Sequence, residues 1–540
     1  ARYPSNSDAL GDGLNTGGFR FNAPTPVDQN THIVRFDWNM SAKHQLSFRG
    51  NYQQDSALVA PYFPDTISPE FWSHPSGFGI SHTWTISNNK VNNFRYGLTR
   101  QAFTSGGDSS ENGITFRFVF QPKAFSNSLS RVTELQNFTD DFTWIKGSHT
   151  FQFGGNVRLI NNKRESYASS YDFATANPSF YSSSGRVLSN PILALYNVDS
   201  GTTGIQNAMS ALIGRFSQYT GNFNYDLSGN TLPVGTSIVR NFATEEYDMY
   251  FQDIWKPFRN LTVTGGLRYA LSRPVYEKDG YQVVPDTPLG DVLDRRIASA
   301  AQGVADNSLI NFILGGPKND APGFYKMDWN NWQPRVAAAW SPNFENKVLK
   351  MVFGGPNEAT FRGGFSITND YFGQQLAVTF DNLTTLGFTT SDTIAANTYN
   401  VTTRLAPPFT NFGQSIRNLP NISAPNRFST PADEDQRIES SLDSTLVSPI
   451  NYTWNLTYGR QLPKGMYIEA TYTGRKARNL LATRDVLALN NLVDRQSGMD
   501  WYTAAGLLHD LRARNTPIEN ITPIPYFERL FPGLGGAYTG

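Results

Sequence analysis

The sequence predicts an all-β chain, an antiparallel transmembrane β-barrel, and three observations carry that prediction. Runs of alternating apolar and polar residues recur in pairs across short turns, the period-two signature of strands with one greasy face and one wet face. Aromatics make up 14% of the 540 residues while hydrophobics reach only 39%, and there are 45 glycines. Aromatic and β-branched side chains fit a pleated surface and glycine serves turns, so this mixture favours many strands and many turns. No run of about 18 apolar residues occurs, which excludes a membrane-spanning helix, whereas a barrel strand crosses with about 9–11 residues. A mean hydropathy of −0.41 agrees with a wall wetted on one face.

Six hairpins follow along the chain. The first joins 33–40 to 45–52 across Ser41-Ala42-Lys43-His44, with Leu46, Phe48 and Tyr52 opposed to Ser47, Arg49 and Asn51. The second joins 80–86 to 91–100 across Ser87-Asn88-Asn89-Lys90, and the third turns at Lys146-Gly147-Ser148 between 137–145 and 150–160. The fourth pairs 247–256 with 261–272. Leu261, Val263, Leu267, Tyr269 and Leu271 share one face of its second strand, and Thr262, Thr264, Arg268 and Ser272 the other. A one-residue slip of register would reverse every one of these side chains. The fifth joins 332–341 to 360–370, and the sixth joins 452–461 to 466–473 across Leu462-Pro463-Lys464-Gly465.

Between the hairpins lie long polar segments, roughly 53–79, 101–135, 161–240, 273–330, 371–450 and 482–540. Short turns on one rim and long connections on the other is the asymmetry of bacterial outer-membrane barrels, whose long loops are extracellular. The long segments are therefore expected at one rim and the turns 41–44, 87–90, 146–148 and 462–465 at the opposite rim. Two stretches inside the loops, 291–303 and 501–514, have helical spacing and helix formers and predict short packed helices.

The hairpin Tyr247-Asp248-Met249-Tyr250-Phe251-Gln252-Asp253-Ile254-Trp255 with Asn260-Leu261-Thr262-Val263-Thr264-Gly265-Gly266-Leu267-Arg268-Tyr269 resembles a signature hairpin of TonB-dependent outer-membrane receptors. Gln333-Pro334-Arg335-Val336-Ala337-Ala338-Ala339-Trp340-Ser341-Pro342, Arg362-Gly363-Gly364-Phe365-Ser366-Ile367 and Trp454-Asn455-Leu456 through Arg460-Gln461-Leu462-Pro463, then Tyr472-Thr473-Gly474, are similar to further strands of the Oar-like branch of that family. Members of that branch place a carboxypeptidase-regulatory-like domain ahead of a plug and barrel. The resemblance implies a bacterial outer-membrane receptor of a Gram-negative cell that takes up a bulky nutrient, with outer-membrane lipid and the TonB complex as partners. An adhesive or structural barrel that anchors a surface assembly of outer-membrane or surface proteins is the alternative, and a soluble β-sandwich a weaker third. Neither an N-terminal TonB box and plug nor a C-terminal aromatic strand is recognised in the span, so residues 1–540 are expected to form part of a single large barrel. About twelve strong strands are expected where receptors of this kind have 22, and the chain, starting at Ala1 without a leader, reads as processed or partial.

Chemistry is thin. Forty-five basic and 45 acidic residues cancel, which removes the basic footprint of a nucleic-acid binder. The absence of cysteine removes disulfides, thiolate metal sites and cysteine nucleophiles. The histidines His32, His44, His74, His82, His149 and His509 show no ligand spacing, and no G-x-S-x-G, P-loop or dinucleotide fingerprint occurs. No catalytic, cofactor or metal residue is assigned, no enzyme is expected, and the ligand-binding residues stay unassigned. Carboxylate groups at Glu245-Glu246-Asp248, Asp140-Asp141 and Asp433-Glu434-Asp435 lack the ordered spacing of a calcium loop and read as solvated charges. Trp38, Trp84, Trp255 and Trp340 lie near strand ends and fit interfacial girdles. Phe71-Trp72, Tyr171, Phe180-Tyr181 and Trp501-Tyr502 are the loop aromatics able to stack on a ligand. Arg35, Arg49, Arg95, Arg158, Arg268 and Arg362 fall on the polar faces of their strands and predict an interior ladder.

Overall fold

A computed structural model describes residues 17–116, 123–176, 218–300, 312–355, 358–376, 388–395, 442–483 and 492–530 almost continuously, with isolated residues between these spans and residues 3–7 and 9 ahead of them. Fourteen strands form one sheet. Twelve are long, in chain order β1 (Val27–Ser41), β2 (His44–Leu58), β3 (Ser76–Ser87), β4 (Lys90–Ser105), β5 (Leu129–Lys146), β6 (His149–Ser166), β7 (Ile238–Phe258), β8 (Leu261–Ser272), β9 (Trp332–Trp340), β10 (Ala359–Asn369), β11 (Ile450–Gln461) and β12 (Tyr467–Arg478). Every pairing in this wall is antiparallel and joins sequence neighbours, with short strands Glu70–Ser73 and Tyr276–Glu277 extending it. Among the described residues the outer edges of β1 and β12 carry no strand partner.

All six predicted hairpins are present; most of their strands run further than the alternation alone indicates, while those of the fifth end within a residue of the predicted bounds. β7 extends to 21 residues, nine of them before the Tyr247 at which the signature begins. The register Trp255↔Val263, Phe251↔Leu267 and Met249↔Tyr269 puts these side chains on one face, while Tyr250↔Arg268 and Ile254↔Thr264 share the other. The apolar face carries Tyr247, Met249, Phe251, Leu267, Val336 and Leu456, all more than a third exposed, as lipid contact requires. Register shifts at Asn39/Ser41, Thr85/Ser87 and Trp255/Phe258 fall beside the turns, where a bulge adds the twist a tight reversal needs. Gly147, at φ 59°, occupies the left-handed region that closes the β5–β6 turn.

Because the wall alternates strictly, the turns 41–44, 87–90, 146–148 and 462–465 lie on one rim and the long segments on the other, as expected. The fifth hairpin departs from the prediction. Its connection holds a helix, α2 (Lys347–Phe353), capped by Asn346, whose side chain accepts from the Val348 and Leu349 amides at 2.9 and 3.3 Å. Phe353 anchors this helix on Phe344 and Phe361, with ring centroids 5.5 Å from each.

The long connections also depart from a reading as plain loops. Gly113–Phe116, Phe173–Ala176, Gln218–Asn224 and Thr389–Ala395 assemble a separate four-stranded sheet, and Val283–Pro285 pairs with Phe312–Leu314. Their pairings span up to 177 residues, from Gln218 to Ala395, a separation invisible to local periodicity. The predicted helix 291–303 is α1 (Leu289–Ala300), with residues 301 and 303 outside the described set. The helix predicted over 501–514 is α3 (Trp501–Ala513), which packs Ala504 and Trp501 against Ile524, Tyr526 and Phe527 around α4 (Pro525–Leu530). No helix among the described residues is long and apolar enough to cross a membrane.

Candidate functional site: the inner wall and the loop layer

The polar face of the wall gathers its charges into paired clusters because a carboxylate or guanidinium withdrawn from water must find partners. On β7 the alternation sends Glu246, Asp248, Tyr250 and Gln252 inward, and Asp248 and Glu246 side chains are only 3% and 5% exposed. Arg158 on β6 reaches Glu246 at 2.8 Å, and Arg268 on β8 reaches Asp248 at 3.0 Å. Asp248 also accepts from the Tyr371 hydroxyl at 3.0 Å and the Asn156 amide at 3.3 Å, which ties the segment after β10 to the opposite side of the sheet. Tyr250 donates to Asp141 at 2.7 Å, and Asp141 pairs with Arg95. A second group lies on β10–β12, where Arg362 meets Glu469 at 2.5 Å and Arg475 donates to Asn451 at 2.9 Å.

Five of the six predicted interior arginines form ion pairs: Arg35 with Asp37, Arg95 with Asp141, Arg158 with Glu246, Arg268 with Asp248 and Arg362 with Glu469. Arg49 shares the inner face, opposite Arg35 in register. The reading of the carboxylate groups as solvated charges fails for Glu246 and Asp248, which are buried and share Arg158. The strand pleat turns Asp140 outward towards Asn92 and Asp141 inward, and separates Glu245, which pairs with Arg273, from Glu246 and Asp248. Asp433, Glu434 and Asp435 lie outside the described residues, as do Phe180 and Tyr181. Among the described residues no three His, Cys, Asp or Glu groups are placed to hold a metal ion. Sequence reasoning passed over Arg335 and Tyr371. The first was legible from the alternation Gln333, Arg335, Ala337, Ala339, whereas the reach of Tyr371 to β7 carries no local signal.

The outer face near the turns is an aromatic and basic girdle. Trp38, Trp84, Trp255 and Trp340 all point outward there, at 40–50% exposure. His149 stacks on Trp255 at 5.7 Å and bonds Asp253 at 2.7 Å, and His44 bonds His82 at 3.1 Å beside Trp84. His74 contacts Arg100 at 2.9 Å and stacks under Trp72 at 3.8 Å, and His32 lies 6.4 Å from Tyr52. His509 lies on α3. These partners account for the five histidines of the wall and its rims as interfacial and rim residues.

Above the wall the loop layer is packed from long-range contacts. Asp172, fully buried, accepts from the Asn222 amide at 3.0 Å, and Arg240 stacks on Tyr281 and Phe388 at 4.6 and 5.3 Å. Phe223, Tyr225, Val283 and Phe388 form one apolar cluster there, and Phe242, Val275, Val284 and Phe324 another. Burial pushes the Glu277 carboxyl up, although the Asn241 and Tyr281 amides donate to it at 2.9 and 2.8 Å. Asp306, bonded to Ser308 and to Arg295, is held down to about 2. Of the loop aromatics, Phe71 stacks on Phe103 and Trp501 is drawn into the helical cluster, whereas Tyr502 stays 64% exposed. Tyr171 is half-buried, and its main-chain carbonyl accepts from Asn222 at 2.6 Å.

Residues 1–529 match the family described as outer membrane beta barrel domain. Among solved structures, the outer membrane transporter YddB from Escherichia coli is 11% identical with a TM-score of 0.44, over 88% of this chain and 42% of that one. The ferric-catecholate import receptor Fiu from E. coli is 10% identical with a TM-score of 0.38, over 89% and 54%. The ferripyoverdine receptor of Pseudomonas aeruginosa is 8% identical with a TM-score of 0.37, over 84% and 42%. The chain thus spans 42–54% of the length of these proteins. A search of curated proteins gives no match.

Proposed function

From the premise that this chain belongs to the outer membrane beta barrel domain family and resides in the bacterial outer membrane, we propose that it is the wall of an Oar-like, TonB-dependent receptor that takes up a bulky nutrient. The observation that carries the reading is the coupling of two layers. Four strands from three long connections are knitted into a sheet at one rim, and the inner face of the wall carries groups of paired charges. Such loops build a capture surface at the outer rim, and a polar inner wall lets a hydrated solute pass. The proposal assigns no catalysis to the chain.

Energy coupling in such a receptor runs through a plug, which the resemblance implies for the parent polypeptide. The test is co-purification of the detergent-solubilised receptor with the periplasmic domain of TonB, together with uptake measured before and after collapse of the proton gradient. Retention of the TonB domain and gradient-dependent uptake are the expected results. A receptor that neither retains the TonB domain nor responds to the gradient refutes the reading in favour of a structural or adhesive barrel.

A further inference from the structure

We propose that the inner wall over β8, β9 and β10 carries a binding site for an anionic solute, with Arg335 as its charged anchor. This names a substrate class for the receptor reading above and rests on it.

Arg335 faces a groove of about 520 Å3 on the inner face. Its strand neighbours are Gly266 on β8 and Ser366 on β10, so neither side supplies a side chain long enough to cover it. One step lower, Ala337 sits against Gly364. The packing there is close, since a Cβ added at Gly364 would lie 3.4 Å from that of Ala337. The floor is therefore flat, and the guanidinium stands exposed with no ion pair among the described residues.

Arg335 is also the middle rung of a ladder. Arg268 lies two residues above the Gly266 level on β8, and Arg362 lies four residues below the Ser366 level on β10. At about 3.3–3.4 Å per strand residue, these offsets are about 7 Å towards the long-loop rim and about 13 Å towards the turn rim. The outer rungs are neutralised, Arg268 by Asp248 and Arg362 by Glu469, and Arg335 is not. A guanidinium fork binds carboxylate and phosphate groups bidentately, and rings or rows of arginine give pores their preference for anions. The unpaired rung in a cleared groove, between two paired ones on the path from loops to turns, is where an anion crossing this wall would pause.

The test is calorimetric titration of the parent polypeptide, the preparation used for the TonB assay, in detergent with citrate, with pyrophosphate, and with maltose as an uncharged control, at low and raised salt. Expected are salt-sensitive binding of at least one anion, none of maltose, and a loss of at least tenfold in affinity for Arg335→Gln. Arg335→Lys should retain part of that affinity, and Arg49→Gln, on the far part of the wall, should retain all of it. Citrate binding without pyrophosphate assigns carboxylate chemistry, and the reverse assigns phosphate. No heat with either anion, equal affinity of Arg335→Gln and the parent, or an equal loss in Arg49→Gln each overturns the site. Retention of the TonB domain by the same preparations separates the two claims. Lost anion binding with TonB retained removes only this inference, and lost TonB binding removes the receptor reading itself.

Discussion

Replacing Asp248 with alanine is the sharpest probe of the inner wall, because one carboxylate serves four neighbours from three other segments. The side chain is 3% exposed and contacts Arg268 at 3.0 Å, Tyr371 at 3.0 Å, Asn156 at 3.3 Å and Arg158 at 3.9 Å. Breaking a fully buried pair by removing one partner costs about 3–5 kcal/mol. Here the Arg268 and Arg158 side chains are 48% and 33% exposed, so water recovers most of their share. We count about 0.5–1 kcal/mol for the cations and about 1–1.5 kcal/mol for each of the two neutral donors left without an acceptor. The sum is a loss of about 3 kcal/mol. Urea unfolding of the purified chain in detergent, followed by the emission of its 10 tryptophans, measures it. Tyr371→Phe alone should lose about 1 kcal/mol, and the double variant should fall short of additivity by a similar amount. A loss for Asp248→Ala below about 0.5 kcal/mol, or strict additivity with Tyr371→Phe, would show that the cluster is solvated and does not brace the wall.

The facing of the signature hairpin predicts opposite responses to one substitution: Leu267→Arg, on the apolar face, should destabilise by about 2–4 kcal/mol, while Thr264→Arg, on the inner face, should cost under about 1 kcal/mol, and equal losses in urea unfolding would overturn the assigned register. Thr220 and Thr393 are register partners with hydroxyls 3.0 Å apart. In a chain without cysteine, Thr220→Cys with Thr393→Cys should therefore form a disulfide spontaneously, seen as a reducible mobility shift, and free thiols after mild oxidation would contradict the loop sheet. Asp500 caps α3 by accepting from the Thr503 amide at 2.7 Å, a bond that holds its carboxyl below the usual range. Its contribution is thus present above the unfolded value near 3.9 and lost as pH falls below it. Asp500→Ala should expose the segment 492–530 to protease at pH 7, and that difference from the parent should shrink as pH falls through the carboxyl's titration, whereas an undiminished protease effect in acid would refute the cap.

The sequence by itself determined the wall. Period-two alternation is a local property, and each strand needs only its own residues to state which side chains face lipid, so Leu267 and Arg268 were placed correctly without knowledge of any partner strand. Turn chemistry is equally local, which is why the six hairpins, the rim that holds each turn, and the helix Trp501–Ala513 were legible. The tertiary structure alone decided the site. Asp248 and Glu246 read as members of one acidic run, and only the pairing of β6, β7 and β8 reveals that they are shared among Arg158, Arg268 and Tyr371. The loop sheet is likewise built from strands of four to seven residues whose partners lie far away in the chain, and a strand so short has too little periodicity to announce itself. The isolation of Arg335 is of the same kind. Its charge is written in the sequence, but the glycine and serine that leave it uncovered belong to the strands on either side.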